Sequence, residues 1–337
     1  MAGQLEHIAF PVLIGDIGGT NARFALVGHA EAEMVRFPDA VTGAAPTIDD
    51  AIGGVLAGAT ERPRSAVLAL AGPITGEKVK ITNCPWIVEP KRLIRRFGLS
   101  EVILLNDFEA LSLSLADLSG GDLDLIGGGS IEPERARIVV GPGTGLGAGA
   151  LIHANGVWIP IPGEGGHIDL GPITDRDMAI WPHIEKLFGR ISAEALLSGA
   201  GLLRLYNAVA DTDGAARRFT RPAEVSEAGL AGADPQAQEA LALFATYLGR
   251  FAGDLALVFA ARGGAYLAGG VTQKIAPALK TGAFREAFVA KQPHRHLLEA
   301  MATAIIMKPD AALGGIAAFA RHPGRFGVSL PGRHWRA

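Results

Sequence analysis

The chain has 337 residues, 49% hydrophobic and 19% charged, which supplies more than one large core and excludes a disordered protein. Its 31 basic and 34 acidic residues leave a net charge of −3, so no bulk attraction for nucleic acid or an acidic membrane is expected. A single cysteine, Cys84, excludes an internal disulfide framework and fits a reducing, cytoplasmic setting.

The N-terminus carries Glu6 and His7 where a secretory signal would begin its apolar core, and no basic stretch precedes them. Residues 8–27, IAFPVLIGDIGGTNARFALV, read as a strand, a Gly-rich turn and a returning strand. Residues 67–71 and 102–105 read as short buried strands, with helical patterns around 46–60 and 90–97. The strand at 102–105 ends in Asn106 and Asp107, with Glu109 three residues after Asn106, the pattern of a capping-box helix start. Residues 136–153 repeat the opening theme of strand, Gly-Thr turn and strand, with Thr144 placed 124 positions after Thr20. Two halves opened by the same device predict a duplicated α/β architecture with a cleft between the halves.

Residues 138–163 lack Asp, Glu, Lys and Arg over a length that could span a bilayer, but seven glycines and three prolines break the helix a span needs. The segment is read as strands and turns, and the protein as soluble. Further on, 192–209 reads as two short helices broken at Gly199 and Gly201, and 210–235 as a polar surface excursion. Residues 236–262 give the strongest helical pattern, with Leu241, Phe244, Leu248, Phe251, Leu255 and Phe259 at three- and four-residue spacing before Gly263-Gly264. AYLAGGV at 265–271 reads as a buried strand entering a glycine pair, and 310–320 as a closing helix. The basic, turn-rich tail is expected to be solvated and loosely ordered.

The two glycine loops carry the first chemistry. GDIGGTNAR at 15–23 joins three glycines and Thr20, and glycine lets backbone N–H groups approach an anion closely. Asp16 repels phosphate but can hold the hydrated magnesium that accompanies a nucleoside triphosphate. GPGTGLG at 141–147 is uncharged and could bind phosphate only through backbone donors and Thr144. A plain hairpin turn explains either loop alone; two of them, each opening a half-chain, favour phosphate binding. No Gly-Lys dipeptide is present, which excludes a Walker-type loop, and neither loop is a Gly-x-Gly-x-x-Gly entering a helix.

GDIGGTNAR, LLNDFEA, GPGTGLG, GEGGHIDL, ISAEALLSG and LAGGV, in this order over about 15–320, resemble the bacterial glucokinase family of the sugar kinase, Hsp70 and actin superfamily. The resemblance implies an actin-like, ribonuclease H-like α/β fold of two domains with duplicated mixed sheets. Its expected boundaries are a smaller domain of residues 1–110 plus 310–322, a larger one of 111–309, and the tail 323–337. It also implies phosphoryl transfer from ATP to the 6-hydroxyl of glucose, with magnesium, in a homodimer. Asp107 would be the general base, and Asn106, Glu164, His167 and Glu194 the sugar ligands. Gly15, Asp16, Ile17, Gly18, Gly19 and Thr20, with Gly143, Thr144 and Gly145, would hold the phosphates, and Gly269 and Gly270 would meet the adenine or ribose. Asp16 would hold magnesium through water.

Each of these residues has a plainer reading: Asp107 as a charge in a helix's first turn, Glu164 and His167 on a solvated loop, Glu194 in the first turn behind Ser192. PITGEKVKITNCPW at 73–86 resembles a sugar-side segment of the family, without assignable contacts. A related sugar-kinase group follows its Glu-x-Gly-His turn with a cysteine cluster for zinc; this chain has no cysteine after Cys84. Three other functions remain open: a kinase of another hexose such as fructose or N-acetylglucosamine, a sugar-sensing regulator, and an ATPase without a sugar. A regulator predicts a DNA-binding helix pair ahead of the first loop, where only fourteen residues stand.

Overall fold

The apolar run Val12–Ile17 forms β1, and the chain turns at 18–20 into the antiparallel β2 (Asn21–Val27). The computed structural model describes residues 5–337. Two short strands, β3 (Met34–Arg36) and β4 (Ala40–Val41), pair with β2. β5 (Ser65–Leu70) is buried at all six positions and runs parallel to β1. After the small ribbon of β6 (Val79–Lys80) and β7 (Ile87–Val88), β8 (Glu101–Asn106) runs parallel to β5. Parallel strands need both faces covered, which is why these segments are continuously apolar rather than alternating. Leu13, Phe24, Leu68 and Leu104 pack with Ile48, Ile52 and Leu93 of helices Ile48–Ala57 and Pro90–Phe97. Helices Asp107–Ser114 and Ala311–Arg321 pack together, and Gly315 lets the second lie against the Ala110 carbonyl.

The second sheet contains β9 (Leu123–Gly127), β10 (Arg137–Pro142), β11 (Leu146–Ala154), β12 (Val157–Gly163), β13 (Ala265–Leu267) and β14 (Thr303–Ile306). The charge-free stretch at 138–163 is therefore three strands and their turns, as its glycines and prolines require. The order is β12-β11-β10-β13-β14-β9, with β10, β13 and β14 parallel and β9 antiparallel to β14. The first sheet reads β3-β2-β1-β5-β8-β15, closed by β15 (His334–Arg336), antiparallel to β8. The two layouts match strand for strand: a three-strand meander, two further parallel strands, an antiparallel closing strand. This is the duplication expected from the repeated loops.

The chain divides into a first unit of Met1–Leu118, Leu151–Pro162 and Pro309–Ala337, and a second of Ser119–Ala150 and Gly163–Lys308. In the second, helix Pro235–Phe259 starts on an Asp234 cap with Pro235 at its first position. It is long and apolar enough to cross a membrane by length and composition. Its Phe244, Leu248 and Phe251 are nevertheless buried in this unit, and Gly249 admits the Phe284 carbonyl of the neighbouring helix Ala283–Val289. The helix ends at Ala260, which takes up the left-handed conformation (φ 47°), ahead of the glycine pair expected to stop it.

One expectation is completed and another corrected. Residues 210–235 lie largely at the surface, as read, and also contain a helix, Pro222–Leu230, because Pro222 and Glu224 start it and Val225 and Gly229 are buried, Gly229 against the long helix. The tail is likewise ordered. Gly327 N–H bonds the Trp158 carbonyl at 2.8 Å, Arg333 O accepts from Leu104 N–H at 2.9 Å, and His334–Arg336 completes the first sheet. Its basic side chains meet carboxylates of the folded body, a pairing that composition alone does not reveal.

Candidate active site

In the first unit the predicted residues gather at one edge of the sheet. Ile17 pairs in register with Leu70, and Leu70 with Asn106, so the parallel strands β1, β5 and β8 end level. Two strand spacings of about 4.8 Å put the end of β1 roughly 10 Å from that of β8. The carboxyl ends of parallel strands are the usual place for ligands in α/β folds. Asn106 is both the last residue of β8 and the N-cap of helix Asp107–Ser114. Its Oδ1 accepts from Phe108 N–H at 2.9 Å and Glu109 N–H at 3.2 Å, while Glu109 Oε2 accepts from Asn106 N–H at 3.2 Å. The capping box read from the sequence is therefore formed. Asp107, half-buried in the first turn, has Oδ1 held by Phe108 N–H at 3.0 Å, which orients the carboxylate.

No local pattern points to Gly72. Its φ of +114° is a left-handed backbone that glycine tolerates, a Cβ there would come within 2.6 Å of Thr82 Oγ1, and its carbonyl accepts from Asn106 Nδ2 at 3.2 Å. The Asn106 amide is thus fixed from both sides.

The first loop is narrower than the sequence suggests. Gly15, Asp16 and Ile17 belong to β1, and only Gly18, Gly19 and Thr20 make the turn, with Gly18 N–H bonded to Asn21 O at 3.0 Å. Gly15 is small for packing, since a Cβ there would meet Leu68 at 2.9 Å and Phe24 at 3.0 Å, and Ile17 is fully buried. Asp16 faces its cross-strand partner Arg23, Nη1 to Oδ2 at 3.3 Å. Burial raises its pKa, Arg23 works against that rise, and the charge of Asp310 adds to it. Arg23 and Arg36 also reach Asp39 and Asp310, a charge lattice round Asp16 that no local pattern announces.

In the second unit Gly143, Thr144 and Gly145 form the turn between β10 and β11, with Gly143 N–H bonded to Gly145 O at 2.8 Å. Glu194, behind its Ser192 cap, bonds this loop directly: Oε2 accepts from Leu146 N–H at 2.9 Å. Gly199 N–H bonds Gly143 O at 2.9 Å, so the helices Ala193–Leu196 and Gly199–Thr212 also fix the loop. Gly201 lies inside the second helix, its missing Cβ making room for the Leu196 carbonyl. Glu164 and His167 lie on the turn before and within a short 3-10 helix, 66% and 57% exposed, with His167 Nε2 and Glu164 Oε2 3.8 Å apart. Gly166 backs this turn onto the Leu146 carbonyl, so Glu164, His167, Glu194 and the second loop are brought together. Arg190 steadies the turn through His167 O at 2.6 Å and Asp169 at 2.7 Å. Gly269 (φ +88°) follows β13 on the same edge, and a Cβ would come to 2.5 Å from Pro142 O, so Gly269 and Gly270 stand beside the second loop.

A cavity of about 1140 Å³ in the first unit, walled by residues including Arg64, Glu101, His334 and Arg336, contains none of the predicted site residues. Cys84 is half-buried, and burial raises its thiol pKa.

A family model described as Glucokinase matches residues 13–323. The glucokinase of Mesorhizobium japonicum is 53% identical over 331 residues, covering 98% of this chain and 97% of the relative. That of Sinorhizobium fredii is 51% identical, covering 100% of each. Among solved structures, a glucokinase from an Antarctic psychrotroph superposes with a TM-score of 0.81 at 30% identity, covering 92% of this chain and 98% of that one. The glucokinase of Balamuthia mandrillaris in complex with glucose has a TM-score of 0.76 at 23% identity, covering 95% and 94%, a likeness of fold. The duplicated sheets are those of the two-domain actin-like ATPase fold of these sugar kinases. With motif order, sheet layout and matches of this extent in agreement, the chain belongs to the glucokinase family of ATP-dependent hexokinase-type kinases.

Proposed function

We propose that the chain transfers the γ-phosphoryl group of ATP to the 6-hydroxyl of glucose with Asp107 as general base. The observation that carries this reading is the placement of Asp107: an oriented carboxylate on a capped strand-to-helix corner, level with the end of β1. Phosphoryl transfer leaves the protein little covalent chemistry, so positioning and charge neutralisation dominate. Asp107 orients the sugar hydroxyl and accepts its proton as the oxygen–phosphorus bond forms. Asn106, with its Oδ1 committed to the helix cap and one amide hydrogen to Gly72 O, offers its second amide hydrogen to the sugar.

Glu164 and His167 are exposed and adjacent, as groups waiting for hydroxyls would be, and a carboxylate can accept from two neighbouring hydroxyls. Glu194 has one oxygen on Leu146 N–H, and we assign it both sugar contact and support of the second loop. Gly19, Thr20, Thr144 and Gly145 offer backbone donors for the phosphates; Gly18 and Gly143, whose own N–H groups close the turns, let the backbone come near, and Gly269 and Gly270 stand beside the nucleoside. Gly15 and Ile17 act from within β1, by keeping the turn in place.

Asp16 suits magnesium held through water. Among the described residues no cluster of three or more side chains could ligate a metal, and magnesium bound by one carboxylate, water and phosphates needs none. Bound there, the ion neutralises phosphate charge; Arg23 sets the orientation of Asp16 and is itself held by Asp310.

The decisive experiment is Asp107→Ala assayed by coupled ATP consumption over a panel of hexoses. Turnover with glucose should fall by ~10²–10⁴ while ATP binding stays within about twofold. A variant with near-normal turnover would return Asp107 to a capping role, and a wild-type preference for another hexose would reassign the sugar. We read the enzyme as a cytoplasmic homodimer, to be checked by sedimentation.

A further inference from the structure

Glu109 has two kinds of partner. Its Oε2 caps Asn106 N–H at 3.2 Å, and both of its oxygens accept from Arg333, Nη1 to Oε2 at 2.5 Å and Nη2 to Oε1 at 3.1 Å. The carboxylate is 1% exposed and the Arg333 side chain 15%. A capping-box carboxylate can stand in water at a helix end, where it needs no counter-charge. This one is buried, and a buried carboxylate without a cation either takes up a proton or moves out to solvent. The move to solvent would release Asn106 N–H, and a protonated carboxyl would cap it more weakly than the carboxylate does; both loosen the first turn of the helix, which carries Asp107.

Arg333 comes from the far end of the chain, 224 residues after Glu109. Three contacts hold it in place: its guanidinium bonds the Ser329 carbonyl, its own carbonyl accepts from Leu104 N–H, and β15 begins at the next residue. The planar fork of arginine matches the two carboxylate oxygens, a geometry that lysine reproduces only in part.

We propose that Arg333 is a positioning residue for the catalytic corner: by neutralising buried Glu109 it lets that carboxylate hold Asn106 N–H, and so fixes Asn106 and Asp107 for reaction. The inference rests on the reading of Asp107 as the base.

The test compares Arg333→Met, Arg333→Lys and Glu109→Gln, and the double variant Glu109→Gln/Arg333→Met, in the full-length protein. It reads kcat and KM for glucose and ATP well below each melting temperature. Arg333→Met should lower kcat by about 10- to 100-fold, the scale on which small misplacements act, with KM for ATP within about twofold. Arg333→Lys should recover part of the loss, and in a further variant, Arg333→Ala, which leaves room for the ion, millimolar guanidinium but not sodium chloride should partly restore kcat. Glutamine at position 109 can still cap and carries no charge. In that background, loss of Arg333 should therefore cost less than about threefold. The same double variant serves if Arg333→Met fails to fold.

Normal kcat in Arg333→Met beside a lowered melting temperature would make Arg333 a mere staple and overturn the proposal, as would equal losses in both backgrounds. An Asp107→Ala enzyme that keeps its turnover overturns the reading beneath the proposal. Loss in Asp107→Ala beside normal turnover in Arg333→Met overturns the positioning role alone.

Discussion

Asn106, Asp107 and Glu109 show how far local sequence carries a site. Their spacing fits within one helical turn, so the capping box is a property of four consecutive residues and is formed as read. Gly72, which steadies the Asn106 amide, lies 34 residues away and is announced by nothing nearby. Glu164 and His167 are exposed side chains with little packing to lose. We expect Glu164→Ala or His167→Ala to raise KM for glucose ~10-fold with the melting temperature unchanged, as suits loss of a hydrogen bond to a ligand. Unchanged sugar affinity in steady-state kinetics would remove them from the site. Glu194 differs because it holds Leu146 N–H beneath the second loop. Glu194→Ala should therefore raise KM for ATP as well as for glucose, and a change confined to glucose would show that the loop stands without it.

At the scale of elements, strands are the most legible feature and their partners the least. The runs at β5 and β8 are continuously apolar because parallel strands are covered on both faces, and that pattern is local. β15 is three residues long in a basic, turn-rich tail, so no periodicity marks it, and its partner β8 lies more than 200 residues earlier. The tail also meets two buried carboxylates. Arg333 pairs with Glu109, and His334 Nε2 lies 2.7 Å from Glu101 Oε2. A chain ending at Pro331 would leave both acids without these partners. We expect it to lose about 3–5 kcal/mol of stability in urea unfolding, the usual cost of removing one member of a buried pair. A midpoint within error of the full chain would mean that the tail lies loosely on the sheet.

For the molecule as a whole, buried carboxylates couple folding to pH. Burial alone would raise Glu101, but hydrogen bonds from His334, Ala9 N–H and Ser65 outweigh it and hold the group below the usual carboxylate range. Asp177 is depressed in the same way, with burial opposed by Ile173 N–H, the Tyr247 hydroxyl, Thr174 N–H and the charge of Arg250. A carboxylate whose folded pKa lies below its unfolded value adds stability above the unfolded pKa and loses it as pH falls through the folded one. The urea midpoint should thus change little from neutral pH down to about 5 and fall below about 4, near the ordinary carboxylate range. Glu101→Gln or Asp177→Asn should flatten that acid limb and lower the neutral plateau; an unaltered limb would place the titration elsewhere.

What the sequence alone determined is whatever a few adjacent residues decide: the strand runs, the glycine turns, the helix cap at Asn106, and the ordered motifs that mark the family. Only the tertiary structure decided that β1 and β8 end level, that Glu194 supports the second loop, and that the last residues of the chain hold the corner bearing Asp107. Strand register and buried ion pairs join residues tens to hundreds of positions apart, and their energies depend on burial, which no short window of sequence contains.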